Sequence, residues 1–194
     1  MANAYPGYPA YPSYSPVVPN SQPVTVYRYQ IREKIFSLGD NFKIKDELGR
    51  DVFTVRSKIF SFGNKLILED MAGNGLLKIH QEIFHLHPTY NILSARDGDS
   101  DRPLANIKKK FSFLHQKFDI QSAYGQYAIE GLDIFAHSFV LTKQGQVVAT
   151  ISKAFFSLAD TYGVEIAANE DQIFILALVI VIDQILYDKK GDHH

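Results

Sequence analysis

Apolar and polar side chains alternate in short segments along most of the chain, from residue 24 onward. In the segment NFKIKDELGRDVFTV, Phe42 and Ile44 alternate with Lys43 and Lys45, and residues 46–49 follow with the aspartate and glycine that turns favour. Side chains of a strand point alternately to its two faces, so this alternation predicts strands that bury one face. The spacing of about ten residues between such segments predicts an all-β domain built from hairpins.

The hairpin pattern repeats within the chain. The segment FSLGDNFKIKDELGRDVFTVRSKIF, which begins at Phe36, returns as FSFGNKLILEDMAGNGLLKIHQEIF, which begins at Phe60, an offset of 24 residues (60 minus 36). Looser copies follow in YNILSARDGDSDRPLANIKKKF and SFVLTKQGQVVATISKAF. Only the first two copies are contiguous, which argues against a solenoid or propeller. A count of about twelve alternating segments favours a closed antiparallel sheet, because closure removes exposed edges.

The most hydrophobic segment lies near the end of the chain, where 13 of the 15 residues in 173–187 are apolar. A helix of this composition is hydrophobic on every face, so it needs apolar walls all round. A barrel of much more than about eight strands needs a filling for its interior. We therefore predict a mainly β fold, a closed antiparallel barrel of about twelve strands around a central hydrophobic C-terminal α-helix at about residues 170–188. Glu170 and Asp171 are expected in its first turn.

A membrane anchor is the alternative interpretation of the same segment. The uninterrupted apolar run, Ile173 to Ile182, has ten residues, whereas a spanning helix needs about twenty. A longer span would place Asp183 in the hydrocarbon at a cost of about 3 kcal/mol. The pattern therefore favours a core helix and predicts no transmembrane span.

The first 25 residues have a different composition, which predicts a disordered tail before a domain at residues 26–190. Residues 1–27 carry no charged side chain and hold six of the eight prolines. Four tyrosines recur at every third position, which is the period of a polyproline II helix. They are candidate partner-binding residues for a proline-reading domain: Tyr5, Tyr8, Tyr11 and Tyr14. A leader that binds nothing in particular is the alternative, and neither a secretory n-region nor an h-region is present.

The hairpin repeat, the block VVATISKAFF followed by ADTYGVEI, and the terminal LALVIVIDQIL resemble the LURP-one-related family over about residues 29–188. This family is similar to the C-terminal domain of tubby and to the phospholipid scramblases. The resemblance implies a twelve-stranded barrel around a central helix. It also implies roles of the kind described for its relatives, namely plant defence for plant members and phosphoinositide binding for tubby.

Composition limits the classes of function. The net charge is −1, which disfavours nucleic-acid binding, and the absence of cysteine excludes disulfides and thiolate chemistry. We expect a cytoplasmic protein that associates with membranes only at their surface. DGDSD places Asp97, Asp99 and Asp101 at the first positions of a calcium loop, but Arg102 and Lys108 occupy the required glycine and glutamate positions. We expect a solvated turn there.

The sequence contains no residue pattern that indicates catalysis. His85 and His87 in HLHP have strand spacing for metal ligands, but no third ligand is close, and His115 and His137 are distant in sequence. The chain has no phosphate-binding glycine loop, nucleophile elbow or HExxH motif. We therefore predict a protein that is not an enzyme and has no cofactor, no metal and no catalytic residues.

One basic cluster, NIKKKFSFLHQKF, has a plausible ligand. Its lysines are the candidate lipid-binding residues: Lys108, Lys109, Lys110 and Lys117. Lysines beside aromatic residues attract anionic headgroups, so we predict a module that binds anionic, phosphoinositide-like phospholipid, in signalling or defence. Alternation should place Lys109 on the face opposite to Lys108 and Lys110, so a solvated strand end is the alternative. A soluble protein-interaction scaffold or regulator is the second hypothesis, and lipid scrambling is disfavoured because the helix is short.

Overall fold

The computed structural model describes residues 25–32, 41–60, 63–82, 88–110, 117–133, 138–152 and 161–187. These residues form twelve β-strands and one α-helix. The elements are β1 (Val26–Arg32), β2 (Phe42–Asp46), β3 (Asp51–Phe60), β4 (Gly63–Asp70), β5 (Gly75–Glu82), β6 (Thr89–Ser94), β7 (Pro103–Lys110), β8 (Lys117–Ser122), β9 (Tyr127–Asp133), β10 (Ser138–Lys143), β11 (Gln146–Ser152), β12 (Thr161–Ala167) and α1 (Gln172–Tyr187).

The strands form one antiparallel sheet that curls into a nearly closed barrel. Its order is β8-β7-β6-β5-β4-β3-β2-β1-β12-β11-β10-β9. Strands consecutive in the chain are therefore hydrogen-bonded neighbours, apart from β8 and β9, and β1 also pairs with β12. The two edge strands, β8 and β9, follow one another in the chain and contact each other. The predicted fold class is therefore confirmed. Short connections between consecutive strands favour such antiparallel neighbours.

Antiparallel order gives the barrel two different ends. The end that we call the turn end carries the short connections at residues 47–50, 71–74, 123–126 and 144–145, together with residues 168–171 before the helix. Strands β3, β5 and β7 finish at the opposite end, where β4, β6 and β8 begin. Helix α1 therefore starts at the turn end.

The sequence repeat produces two equivalent turns. The Asp46 carboxylate accepts hydrogen bonds from the backbone N–H groups of Leu48 and Arg50, each at 2.9 Å. Asp70 accepts the same bonds from the backbone two and four residues later, the second from Asn74 at 2.8 Å. Side-chain hydrogen bonds from Arg50 and Asn74 are the main causes that lower the pKa values of Asp46 and Asp70. These carboxylates close both turns in the same way.

Glycine fixes the direction in which each repeated turn leaves. Gly49 and Gly73 have φ angles of 78° and 87°, in the left-handed region that side chains with a Cβ avoid. Both occupy the same position of the 24-residue repeat (73 minus 49). The repeat in the sequence therefore corresponds to the same turn geometry at the same position of both hairpins.

Helix α1 begins about two residues later than the sequence pattern predicts. Its first residue is Gln172, so Glu170 and Asp171 precede the first turn, and their placement inside it is wrong. The Asp171 side chain instead accepts a hydrogen bond from the backbone N–H of Phe174 at 3.0 Å, which is the geometry of an N-cap. Aspartate favours this position because its carboxylate satisfies an N–H group that has no partner within the helix.

The helix fills the barrel. Every side chain from Phe174 to Ile182 is at most 1% exposed, whichever face of the helix it occupies. These side chains form one hydrophobic cluster with inward-facing strand residues such as Ile44, Leu68 and Ile107. A helix that is apolar on every face is stable in water only in such surroundings. Among the described residues, no helix is long and apolar enough to cross a membrane.

Candidate functional site

Strand β7 carries three of the four predicted lipid-binding lysines, and it separates them by face. Ile107 is fully buried in the core, and Lys109, two residues later on the same side, is half-buried. Lys108 and Lys110 are exposed on the outer surface of the barrel. The alternation that the sequence predicts is therefore present, and only Lys108 and Lys110 offer their charges outward.

Pairing with β8 brings the fourth lysine close and adds an opposing charge. Lys110 pairs with Lys117 in the register of the two strands, and Lys108 pairs with Asp119. The Lys110 ammonium lies 3.2 Å from a carboxylate oxygen of Asp119. The side chain of Lys110 is 58% exposed, so this ion pair contributes little to stability. Asp119 nevertheless offsets one positive charge of the cluster.

Two further lysines on the same outer surface are absent from the sequence prediction. The β3–β4 pairing places Lys58 directly opposite Lys65, and the β4–β5 pairing places Lys65 opposite His80. Leu66 and Ile79 point into the core, so Lys65 and His80 point outward. Like charges directly opposite one another destabilise a sheet. Such a pair is therefore a candidate for binding an anion.

The row of outward residues continues across the sheet with neutral side chains. His80 pairs with Asn91, and Asn91 pairs with Asn106. The Asn106 amide donates a hydrogen bond of 2.7 Å to Asn91, which in turn donates to Glu82. These amide contacts hold the surface between the two groups of lysines. We define the basic face as Lys58, Lys65, Lys108 and Lys110.

Ion pairing leaves part of the basic face uncompensated. Within the described ranges, neither Lys58 nor Lys108 makes an ion pair. Elsewhere on the barrel, Glu130 on β9 and Glu165 on β12 are outward. Arg28 on β1 is held by Glu165 at 2.6 Å.

A separate charged cluster joins the helix start to the barrel wall. The Lys143 ammonium lies 3.1 and 3.2 Å from the two carboxylate oxygens of Glu170, and the Tyr127 hydroxyl donates to Glu170 at 3.1 Å. The Glu170 side chain is only 7% exposed. Burial, followed by the Glu170 charge, raises the pKa of Tyr127. This arrangement keeps Tyr127 protonated and ties β9 and β10 to the segment before α1.

The remaining candidate residues fall into two groups. Tyr5, Tyr8, Tyr11 and Tyr14, and likewise His85, His87, His115 and His137, lie outside the described residues. In the DGDSD turn, Asp99 pairs with Arg102 at 2.7 Å and Asp101 with Lys78 at 3.0 Å. The described parts of the chain contain no group of three potential metal ligands.

Twelve antiparallel strands around a buried C-terminal helix define the chain as a helix-filled β-barrel protein. The family model described as LURP-one-related matches residues 27–183. The chain therefore belongs to the LURP-one-related family, and the resemblance seen in the sequence is confirmed.

Known proteins show the same relationship. An uncharacterized protein of Bacillus subtilis (strain 168), YxjI, is 31% identical over 162 residues, which are 84% of this chain and 95% of that protein. A protein of Arabidopsis thaliana solved by X-ray crystallography has a TM-score of 0.60 at 21% identity and covers 82% of this chain and 91% of its own. The structural likeness supports the fold.

Proposed function

We propose that this protein is a non-enzymatic cytoplasmic module that binds anionic phospholipid at membrane surfaces through its basic face. The observation that carries the proposal is the juxtaposition of Lys58 and Lys65 on the outer surface, with Lys108 and Lys110 farther along it. Each lysine near an anionic leaflet contributes about 1 kcal/mol. Four lysines together favour the bound state by about a thousandfold.

The buried helix determines how such binding would take place. Because α1 occupies the interior, a lipid chain has no place along the helix axis. The module would therefore adsorb to headgroups from outside, and it would neither extract nor translocate lipids. The charge attraction would be screened within about 10 Å at 0.1 M salt, so binding should weaken as salt is added.

Vesicle cosedimentation tests the lipid site with two substitutions on one strand. Lys108→Gln removes an outward charge, and we expect about fivefold weaker binding to vesicles containing phosphoinositide at low salt. Lys109→Gln removes the same charge from the half-buried side of β7, so its binding should stay within about twofold of the parent protein. Vesicles of phosphatidylcholine alone should bind neither the parent protein nor the variants.

A second pair of variants tests the larger surface. Lys58→Glu with Lys65→Glu should abolish binding, because two attractive charges become repulsive. Equal binding by Lys108→Gln, Lys109→Gln and the parent protein would exclude the β7 lysines as the site. Absence of binding by the parent protein to any anionic vesicle would refute the proposed function as a whole.

A further inference from the structure

Exposed large apolar side chains of the described residues collect at the turn end of the barrel. The six are Val26, Tyr27, Leu48, Met71, Tyr124 and Val147, with Leu48 at 71% and Val147 at 61% the most exposed. Each lies in a turn, or within two residues of a strand end, at this end of the barrel. Single exposed apolar residues are ordinary, but a concentration on one surface indicates an interaction site.

Five of these side chains follow one another around the rim. Val147 is on β11, Val26 and Tyr27 are on β1, Leu48 is in the β2–β3 turn and Met71 is in the β4–β5 turn. These elements span seven consecutive strands of the sheet, β11-β12-β1-β2-β3-β4-β5. We call these five residues the apolar arc.

Local contacts hold parts of the arc in place. The Met71 sulfur accepts a hydrogen bond from the Thr54 hydroxyl at 3.9 Å, so Met71 lies against strand β3. Val26 pairs with Ala167, and the next residue, Ala168, donates its N–H to Thr25 at 2.9 Å. The side chains therefore project from ordered turns and strand ends. Less conformational entropy is then lost when a partner binds.

Carboxylates flank the two turns of the arc, and the exposed Lys45 of β2 lies three residues before Leu48. Arg28 and Arg50 are each held by a carboxylate at 2.6 Å, from Glu165 and Asp46. Glu47, next to Leu48, is exposed, and its charge acts on Arg28, whose guanidinium is hydrogen-bonded to Glu165. Asp70, next to Met71, is held by Asn74 and backbone N–H groups, which leave its charge in place. Each repeated hairpin thus presents a carboxylate beside an apolar side chain.

We propose that the apolar arc docks a segment of a partner protein that carries apolar side chains next to lysine or arginine. Leu48, Met71 and Val147 would bury the apolar side chains, and Glu47 and Asp70 would pair with the cations. An anionic bilayer does not fit this surface, because the same two carboxylates would repel it. Lys58 and Lys65 lie toward the other end of β3 and β4, so lipid and partner would occupy separate surfaces.

Peptide titration of the full chain by NMR tests the docking surface. The probe is a 14-residue amphipathic peptide of leucine and lysine, and the matched control has glutamate in place of each lysine. We expect the leucine–lysine peptide to shift the amide signals of residues 47–50, 71–74 and 146–148, with little effect from the control peptide. Shifts confined to other surfaces, or equal binding of both peptides, would overturn the proposal.

Variants assign the effect to particular side chains. Leu48→Ser with Met71→Ser should weaken peptide binding about tenfold or more, and Glu47→Lys should shift the preference toward the glutamate peptide. Lys108→Gln, outside the arc, should leave peptide binding unchanged. Self-association of the protein that Leu48→Ser abolishes would mean that a second copy covers the arc, and it would overturn the choice of a basic partner. These results do not depend on the vesicle assay, which involves different residues.

Discussion

Leu178→Ala is expected to lower the free energy of unfolding by about 3–5 kcal/mol. Leu178 is fully buried in the middle of α1, where strand side chains surround the helix. Removing three carbon atoms there costs their transfer free energy and leaves a cavity. The hydrogen-bonded strands around the helix collapse poorly around such a cavity, so the cost should lie in the upper part of the range for leucine truncation.

Urea unfolding followed by far-ultraviolet circular dichroism measures this loss. Leu48→Ala is the matched control, because Leu48 is the same residue type and is 71% exposed. It should change the free energy of unfolding by less than about 0.5 kcal/mol. A loss of less than 1 kcal/mol for Leu178→Ala would contradict the packing of the helix inside the barrel.

The second large effect is expected for Lys143→Met, which should lower the free energy of unfolding by about 3 kcal/mol. The substitution keeps much of the apolar stem but leaves the buried Glu170 carboxylate without its cation. Among the described residues, the Tyr127 hydroxyl would be the remaining donor to the Glu170 carboxylate. A buried charge that loses its partner retains its desolvation cost, which is why this loss exceeds that of a surface ion pair.

A double-substitution cycle separates the ion pair from packing. Adding Glu170→Gln to Lys143→Met should restore about 1–2 kcal/mol, since the unpaired charge is then absent. Lys45→Met, at an exposed position of β2, serves as the control and should have an effect below about 0.5 kcal/mol. If the double variant is less stable than Lys143→Met, the account of Glu170 as a buried paired charge is wrong.

Much of the fold follows from local patterns. The period-two alternation, the repeated Asp46 and Asp70 turns and the apolar stretch of α1 all agree with one architecture, and this consistency makes it predictable. The exact first residue of the helix was harder to predict from the sequence. Glutamate and aspartate suit both the first turn and the positions before it, so composition alone does not decide that Asp171 is the cap.

The candidate site was only partly predictable. Adjacent lysines in KKK are visible in sequence, and alternation correctly separates Lys109 from its neighbours. The pairing of Lys58 with Lys65 requires the exact register of the β3–β4 hairpin, and a slip of one residue would change the faces of both. The sequence signal that could have predicted this hairpin is the two-residue segment between IF at 59–60 and GN at 63–64. The Lys110–Asp119 contact also depends on register, between β7 and β8.

Hydrogen exchange of the α1 amides tests the central claim, that the helix is enclosed by its own barrel. Amides from Leu176 to Ile182 should exchange only through global unfolding, with an opening free energy equal to that from urea unfolding. Addition of anionic vesicles should leave these rates unchanged, because lipid would bind the outer surface. Exchange of these amides within minutes in native buffer, or new protection on addition of vesicles, would contradict the enclosed helix.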